Sequence, residues 1–345
     1  MRIVVVTDAW HPQVNGVVRT YETVAGILGG RGHDLHFITP EMFTSLPCPT
    51  YPEIRLALAG TARVGRIIET LQPACIHIAT EGPLGLAARS FCLKRNLPFT
   101  TSFHTKFPEY IRARTGMPLS WGYAAVRRFH RPSKAVMVAT RSIEDELSAW
   151  GVGNIRRWTR GVDTDLFRPR EKDGLGDPAR PVFLYVGRVA VEKNIAAFLS
   201  LDLPGTKVVV GDGPARGDLA RRFPDAVFAG AKAGEDLARA YAAADAFVFP
   251  SLTDTFGLVL LEALASGVPV AAFPAAGPRD VLDGAGVGVL DSDLRTAALA
   301  ALAVPGETCR AFALTRSWEA SAAQFEANLA PFDPAKAFPK TARVV

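Results

Sequence analysis

A chain of 345 residues with 48% hydrophobic and 21% charged residues is ordinary for a globular protein, and its length predicts about two domains with full cores. The formal charge of +5 suits anionic ligands or an anionic surface but is modest for a nucleic-acid binder, and no nucleic-acid motif accompanies it. Four scattered cysteines, Cys48, Cys75, Cys92 and Cys309, lack a CxxC or a His at ligand spacing, which excludes a disulfide framework and a zinc site and leaves reduced, mostly buried thiols.

In chain order, Arg2 to Thr7 reads as a first strand. The N-terminus lacks the apolar stretch and cleavage site of a signal peptide, and no window holds the roughly 18 apolar residues of a membrane span. The expectation is a cytoplasmic protein that, where it meets a membrane, lies peripherally on its inner face. Val17 to Gly29 predicts a helix and Leu35 to Thr39 the next strand. Strands are expected at Ala74 to Ala79, Pro98 to Ser102 and Ala135 to Ala139, with helices over Arg63 to Leu71, Leu84 to Arg95 and Arg141 to Trp150. This βαβ alternation predicts an α/β fold with a parallel sheet covered on both faces.

The polar, Pro- and Gly-punctuated stretch from Arg168 to Pro181 reads as a linker. The pattern then restarts with strands at Val182 to Val186, Lys207 to Val210, Ala226 to Phe228, Ala246 to Phe249 and Val268 to Ala271, and a last helix at about Trp318 to Leu329. The expected domains are 1–168, 181–316, and a helix and tail, 317–345, packing back on the first. Ligands of open α/β sheets sit beyond the carboxyl ends of the strands, so two such domains are expected to face each other across a cleft.

The most informative segment runs from Pro250 to Ala263: a strand ends, a polar loop follows, and a helix starts near Phe256 and Gly257. Amides of Thr255, Phe256, Gly257 and Leu258 at that start can bind phosphate or sugar hydroxyls. Asp254 and Glu262 read either as contacts to separate parts of one extended ligand or as an N-cap and a solvated helix residue. Gly187 turns the chain off its strand, and the cations Arg188 and Lys193 suit a diphosphate, a solvated pair being the plainer alternative. Gly211 and Gly213 form a turn that approaches a base or serves only as a turn. In the first half, the loop Asp8 to Val18 lacks GxGxxG, which argues against a nicotinamide or flavin site, while Asn15 and Gly16 offer amides at a helix start. His104 closes the fourth strand at the same edge. The triplets Asp163 to Asp165 and Asp291 to Asp293 read as turn and cap residues and not as metal ligands.

These pieces, Val14 to Thr20, Phe103 to Thr105, Arg160 to Asp163, Gly187-Arg188 with Glu192 to Asn194, and Asp254 to Ala263, occur in order along nearly the whole chain. With them the sequence resembles retaining GT-B glycosyltransferases of family 4, near bacterial α-mannosyltransferases and sulfoquinovosyl- or glucosyl-diacylglycerol synthases. The resemblance implies that Gly16 approaches the donor phosphate, His104 bonds the transferred sugar, and Arg188 and Lys193 stabilise the departing diphosphate. The E-x7-E of the family becomes Asp254 and Glu262, holding sugar hydroxyls and ribose; Asp in the first place shortens the reach by one methylene. It further implies a same-face displacement assisted by the leaving phosphate, with no metal and no cofactor beyond a UDP-sugar or GDP-mannose donor. Arg127, Arg128, Arg131 and Trp121 belong to a basic, aromatic stretch that suits an anionic membrane and a lipid acceptor such as diacylglycerol, or is a solvated helix face. The alternative is a GDP-mannose-dependent α-mannosyltransferase with a soluble or polyprenyl-linked saccharide acceptor. A silent nucleotide-sugar-binding module and a GT-B epimerase are the remoter readings.

Overall fold

The structure, a computed structural model, describes residues 1–13, 16–48 and 51–339. It divides into two compact units: Met1–Thr159 together with the segment from Ser321 onward, and Arg160–Ala320.

Unit 1 begins with β1 (Arg2–Val6), followed by α1 (Gly16–Gly30) and β2 (Asp34–Ile38). A hairpin of β3 (Ser45–Cys48) and β4 (Tyr51–Ala57) comes next, then α2 (Thr61–Leu71), β5 (Cys75–Ile78), α3 (Pro83–Lys94) and β6 (Thr100–Ser102). The helix pair α4 (Phe107–Thr115) and α5 (Leu119–His130) leads to β7 (Val136–Val138), α6 (Arg141–Ala149) and β8 (Ile155–Arg157). Its six-stranded sheet has the order β2-β1-β5-β6-β7-β8, every pair parallel. Strands buried on both faces need unbroken apolar runs. β1 supplies Ile3 to Val6 and β5 supplies Cys75 to Ile78, all buried.

Unit 2 holds β9 (Val182–Val186), α7 (Ile195–Leu199), β10 (Thr206–Val210), α8 (Arg216–Arg222), β11 (Val227–Gly230) and α9 (Gly234–Ala242). It continues with β12 (Ala246–Phe249), α10 (Leu258–Ala265), β13 (Val270–Ala272), α11 (Ala276–Leu282), β14 (Gly288–Leu290), α12 (Leu294–Ala301) and α13 (Gly306–Leu314). The sheet order is β11-β10-β9-β12-β13-β14, again all parallel. β9 shows why the sheet is sandwiched: Val182, Leu184 and Val186 join one core cluster and Phe183 and Tyr185 the other, the period of two that a strand imposes.

Both units are therefore Rossmann-like, and each sheet reverses its strand order once, beside β1 in the first and beside β9 in the second. Helix α14 (Trp318–Asn328) carries the chain out of unit 2, and from Ser321 it packs in unit 1. There Phe325 packs on Trp158 with the rings tilted by 45° and 4.8 Å apart, the Trp158 indole donates to the Ser321 carbonyl, and Phe338 enters the core of α2 and α3.

Two expectations change. The division falls at Thr159 and Arg160, not in the polar stretch 168–181, which is part of unit 2. Its charges are held in ion pairs: Arg170 with Glu235, Lys172 and Arg180 with Asp245, and Asp173 with Arg239. Composition that looks like a linker is here a strap bound by salt bridges. The short edge strands β8 and β14 and the helix pair α4–α5 had no clear signal, because edge strands of three residues carry little apolar periodicity. Among the described residues no single helix is long and apolar enough to cross a membrane.

Candidate active site

In unit 2 the residues singled out converge where the strand order reverses. β9 ends in Gly187 (φ 150°), whose amide donates to the Val210 carbonyl, so the chain turns off the sheet at once. A Cβ on Gly211 (φ 143°) would lie 1.9 Å from the Gly187 carbonyl oxygen, and one on Gly213 (φ 155°) 2.4 Å from that of Val189. The two glycines are thus demanded by main chain packed on main chain between the loops after β9 and β10. The Tyr185 hydroxyl donates to the Arg188 carbonyl at 3.0 Å. Burial first, then the charges of Asp254 and Glu192, push the Tyr185 phenol well above its ordinary range, so it keeps its proton.

After a 3-10 turn at Val191–Lys193, Asn194 adopts a left-handed conformation and its side-chain amide donates to the Pro250 carbonyl, tying the loops after β9 and β12 together. Across that tie the Lys193 ammonium meets the Asp254 carboxylate at 2.5 Å. Asp254 does not cap the helix: the N-cap of α10 is Gly257 (φ 85°), with no side-chain cap, and Leu258 is the first helical residue. Nor is Glu262 a solvated helix residue. It is 3% exposed and accepts from the Tyr241 hydroxyl at 2.8 Å. The hydroxyl of Ser251, at the end of β12, is buried without a hydrogen-bond partner among the described residues. The start of α11 presses on the same loop, since a Cβ on Gly277 would come 2.8 Å from the Asp254 carbonyl oxygen. An uncapped helix start, two cations and two carboxylates at one strand edge form an arrangement able to hold an anionic diphosphate beside hydroxyl groups.

In unit 1 the matching edge carries Asp8 and His104. Asp8 is buried, accepts from the Leu84 and Gly85 amides at the start of α3 and from the Thr80 hydroxyl, and so caps that helix. Burial raises its carboxyl above the ordinary 3.8 despite those bonds. His104 follows β6, and its Nε2 lies 3.1 Å from the Tyr21 hydroxyl. That hydroxyl is 2.8 Å from Nε2 of His77, which also meets Ser102 at 3.0 Å, and Nδ1 of His77 is 2.8 Å from the Thr100 hydroxyl. Burial pulls His77 down to about 3, so it is neutral. Two assignments satisfy the relay: in one, Nδ1 of His77 donates to Thr100, Tyr21 donates to Nε2 of His77 and its oxygen accepts from Nε2 of His104; in the other, Thr100 donates to Nδ1 of His77, Nε2 of His77 donates to Tyr21, and Tyr21 donates to Nε2 of His104. In both, the Tyr21 hydroxyl couples the tautomer of His104 to that of the neutral His77.

Gly16 opens α1 at this edge, and Asn15 lies outside the described residues. Arg127, Arg128 and Arg131 do not join His104: they sit at the far end of α5, where the chain turns into the amino end of β7. Trp121, 68% exposed, is at the near end of the same helix. Both Asp triplets are turns or caps, Asp163 accepting from the Asp165 and Leu166 amides and Asp293 from Arg295. Among the described residues no group of three or more His, Cys, Asp and Glu could hold a metal ion. Sequence reading gave no role to Tyr21, His77, Tyr185, Asn194 or Tyr241. One signal was available for Glu262: an acid inside the otherwise wholly apolar Leu258–Ala265 must be buried.

Comparison with known proteins gives a consistent picture. Residues 14–166 match the model of Glycosyltransferase Family 4, and residues 180–304 that of Glycosyl transferases group 1. The sulfoquinovosyl transferase SQD2 of Arabidopsis thaliana is 35% identical over 257 residues, 69% of this chain and 50% of that one, so the chain spans half the length of this relative. A GDP-mannose-dependent alpha-mannosyltransferase of Mycobacterium tuberculosis is 30% identical over 308 residues, covering 82% of this chain and 81% of its own. An alpha-monoglucosyldiacylglycerol synthase of Streptococcus pneumoniae is 29% identical over 79% of this chain and 71% of its own. Among solved structures, the sucrose-phosphate synthase of Thermosynechococcus elongatus superposes with a TM-score of 0.79 at 22% identity, covering 94% of this chain and 97% of that one, a likeness of fold.

Proposed function

This chain belongs to glycosyltransferase family 4 and is a nucleotide-sugar hexosyltransferase of GT-B fold, and from that premise we propose that it moves a hexose or hexuronic acid, with retention, onto a membrane lipid such as diacylglycerol. In this reading Arg188, Lys193 and the amides of Thr255 to Leu258 take the charge that develops on the departing diphosphate. Asp254 and His104 hold the sugar hydroxyls, Glu262 holds the ribose, and Gly16 and Asn15 approach the phosphates. Gly187, Gly211 and Gly213 give the main-chain shape into which the nucleotide fits. The Lys193–Asp254 pair supports this, because it keeps a phosphate-seeking cation and a hydroxyl-seeking carboxylate 2.5 Å apart at a single strand edge. The acceptor oxygen attacks the anomeric carbon on the face the diphosphate leaves, passing its proton to a phosphate oxygen as the C–O bond to phosphate breaks.

The observation that carries the lipid acceptor is the exposed apolar surface beside His104. Phe107 (44% exposed), Ile111 (40%) and Trp121 lie on α4 and α5, directly after the His104 loop. Gly122 packs on Pro108, where a Cβ would come within 2.7 Å of the proline Cβ, so Trp121 and Phe107 share one end of the helix pair. Arg128 is two turns from Trp121 on the same face of α5, which suits a helix lying in an anionic membrane surface with Arg127 and Arg131 beside it. The relative whose name includes diacylglycerol points the same way. The second reading, GDP-mannose with a soluble or polyprenyl-linked saccharide, is favoured by the relative matched over 81% of its own length.

The test incubates the purified protein with radiolabelled UDP-glucose, UDP-glucuronate or GDP-mannose and diacylglycerol-containing liposomes, followed by organic extraction. Label in the lipid phase from one donor is expected. Label that stays in water from every donor overturns the lipid acceptor in favour of the second reading, and no turnover of any donor overturns the transferase chemistry of this site.

A further inference from the structure

At the amino edge of the unit 1 sheet, opposite the His104 edge, four arginines surround one open pocket of about 480 Å3. Its lining is Arg89, Ala124, Arg127, Arg128, Arg131 and Pro132, with no acidic residue. The topology fixes its place. All six strands are parallel, Arg131 and Pro132 precede β7, and the neighbouring depression of about 370 Å3, lined by Arg127, Arg131, Gly151, Gly153 and Asn154, precedes β8. His104 follows β6, so about 10 Å of strand separates the two edges.

The usual reason for cations at the end of a helix is the partial negative charge there, worth about half an elementary charge. Here Arg89 already meets it: its guanidinium donates to the carbonyls of Phe129 and Arg128, the last turn of α5. Arg127 donates to the Trp150 carbonyl at 3.3 Å. Among the described residues none of the four pairs with a carboxylate, whereas Arg95 and Lys106 of the same unit pair with Glu69 and Glu146. Burial first, and the charge of Arg128 second, lower the Arg89 guanidinium. An anion shared among the four would offset their mutual repulsion, and planar guanidinium forks match the oxygens of a phosphate.

We propose that this arginine pocket is a phosphate-binding site separate from the donor site, taking either the phosphodiester headgroup of an anionic lipid or the phosphate of a soluble metabolite. The adjoining depression shares Arg127 and Arg131, which gives room for a second anionic group on the same ligand. The site does not depend on the lipid-acceptor reading, since phosphate recognition here needs no sugar transfer.

The test uses the full chain in two arms at about 0.1 M salt, where surface charges still act over about 10 Å. One arm titrates pyrophosphate by calorimetry. The other cosediments the protein with phosphatidylcholine vesicles with or without 30% phosphatidylglycerol. Arg128→Ala/Arg131→Ala removes two exposed side chains and is compared with Arg128→Lys/Arg131→Lys and with Lys193→Ala, which addresses the donor site. The expected result is a loss of at least tenfold in affinity in one arm on the double alanine change, partial recovery with lysine, and an unchanged thermal midpoint. Loss in the pyrophosphate arm names a soluble phosphate, and loss in the phosphatidylglycerol arm names a lipid headgroup. If the double alanine protein binds both probes as the unaltered protein does, or if pyrophosphate binding disappears with Lys193→Ala alone and vesicles bind equally with and without phosphatidylglycerol, the site is refuted. Failure of sugar transfer to lipid would leave these binding results standing.

Discussion

Tyr21→Phe removes one oxygen from the centre of unit 1. That hydroxyl reaches His77 at 2.8 Å, His104 at 3.1 Å and Ser102 at 3.3 Å. His77 retains Ser102 at 3.0 Å, so one buried nitrogen remains satisfied, and the stability cost should be about 1–2 kcal/mol, one net hydrogen bond with partial loss of a second. For a cooperative unit the size of unit 1 that is a fall of roughly 3–5 °C in its thermal midpoint. In the proposed reading the effect on catalysis works through His104, which loses the contact that orients its ring and couples its tautomer to His77. One hydrogen bond of about 1.4 kcal/mol corresponds to about tenfold in kcat/KM. The assay is a double-mutant cycle on sugar transfer, read beside circular-dichroism melting. In a His104→Ala background, where the His104 contact is already gone, Tyr21→Phe should cost less stability than in the unaltered protein and no further turnover. A tenfold loss of turnover that persists without His104 would refute the relay and leave Tyr21 a packing residue.

Lys193→Ala should lower turnover more than tenfold with the fold intact by circular dichroism; Glu262→Gln, which keeps a partner for Tyr241, should do the same, and unaltered rates from both would remove them from the site. Gly211→Ala places a Cβ on the Gly187 carbonyl in a backbone region that disfavours side chains, and should lower the urea midpoint by an amount equivalent to about 3 kcal/mol or more; a shift below about 1 kcal/mol would mean the two loops separate easily. Asp8 has a raised folded-state value, so its contribution is fully present below 3.8 and is lost as pH rises through the folded value. Asp8→Asn cannot ionise, and its melting temperature relative to the unaltered protein should therefore climb from pH 3 to pH 7; a flat or falling difference would show that the amide bonds outweigh burial.

The sheet of unit 2 is plain in the sequence because Val182–Val186 and Ala246–Phe249 are unbroken apolar runs closed by Gly and Pro, and their bounds are those expected. The first sheet reads nearly as well, but β8 offers one apolar residue in three and sits at an edge, so nothing in its pattern distinguishes it from a loop. The spacing of Asp254 and Glu262 is visible; that Asp254 meets Lys193, 61 positions away, is a property of the tie through Asn194 and appears in no local pattern. His77 is hidden for a different reason. It occupies a core position of a fully buried strand, where periodicity expects a hydrophobe, and only the three hydroxyls around it show that the position is polar. Arg127, Arg128 and Arg131 were legible as charge but not as a pocket, since Arg89 comes from another helix.

The paired main chains after β9 and β10 also bear on how such a protein can diverge. A Cβ at 211 or 213 would strike main chain, and one at 187 the Tyr185 hydroxyl at 2.9 Å, so a substitution at any of the three disturbs the frame itself. Arg188 and Asp212, between and beside them, carry side chains and can be exchanged without moving that main chain. In the proposed reading, a different donor would be reached by exchanging such outward groups while the frame that presents them stays fixed.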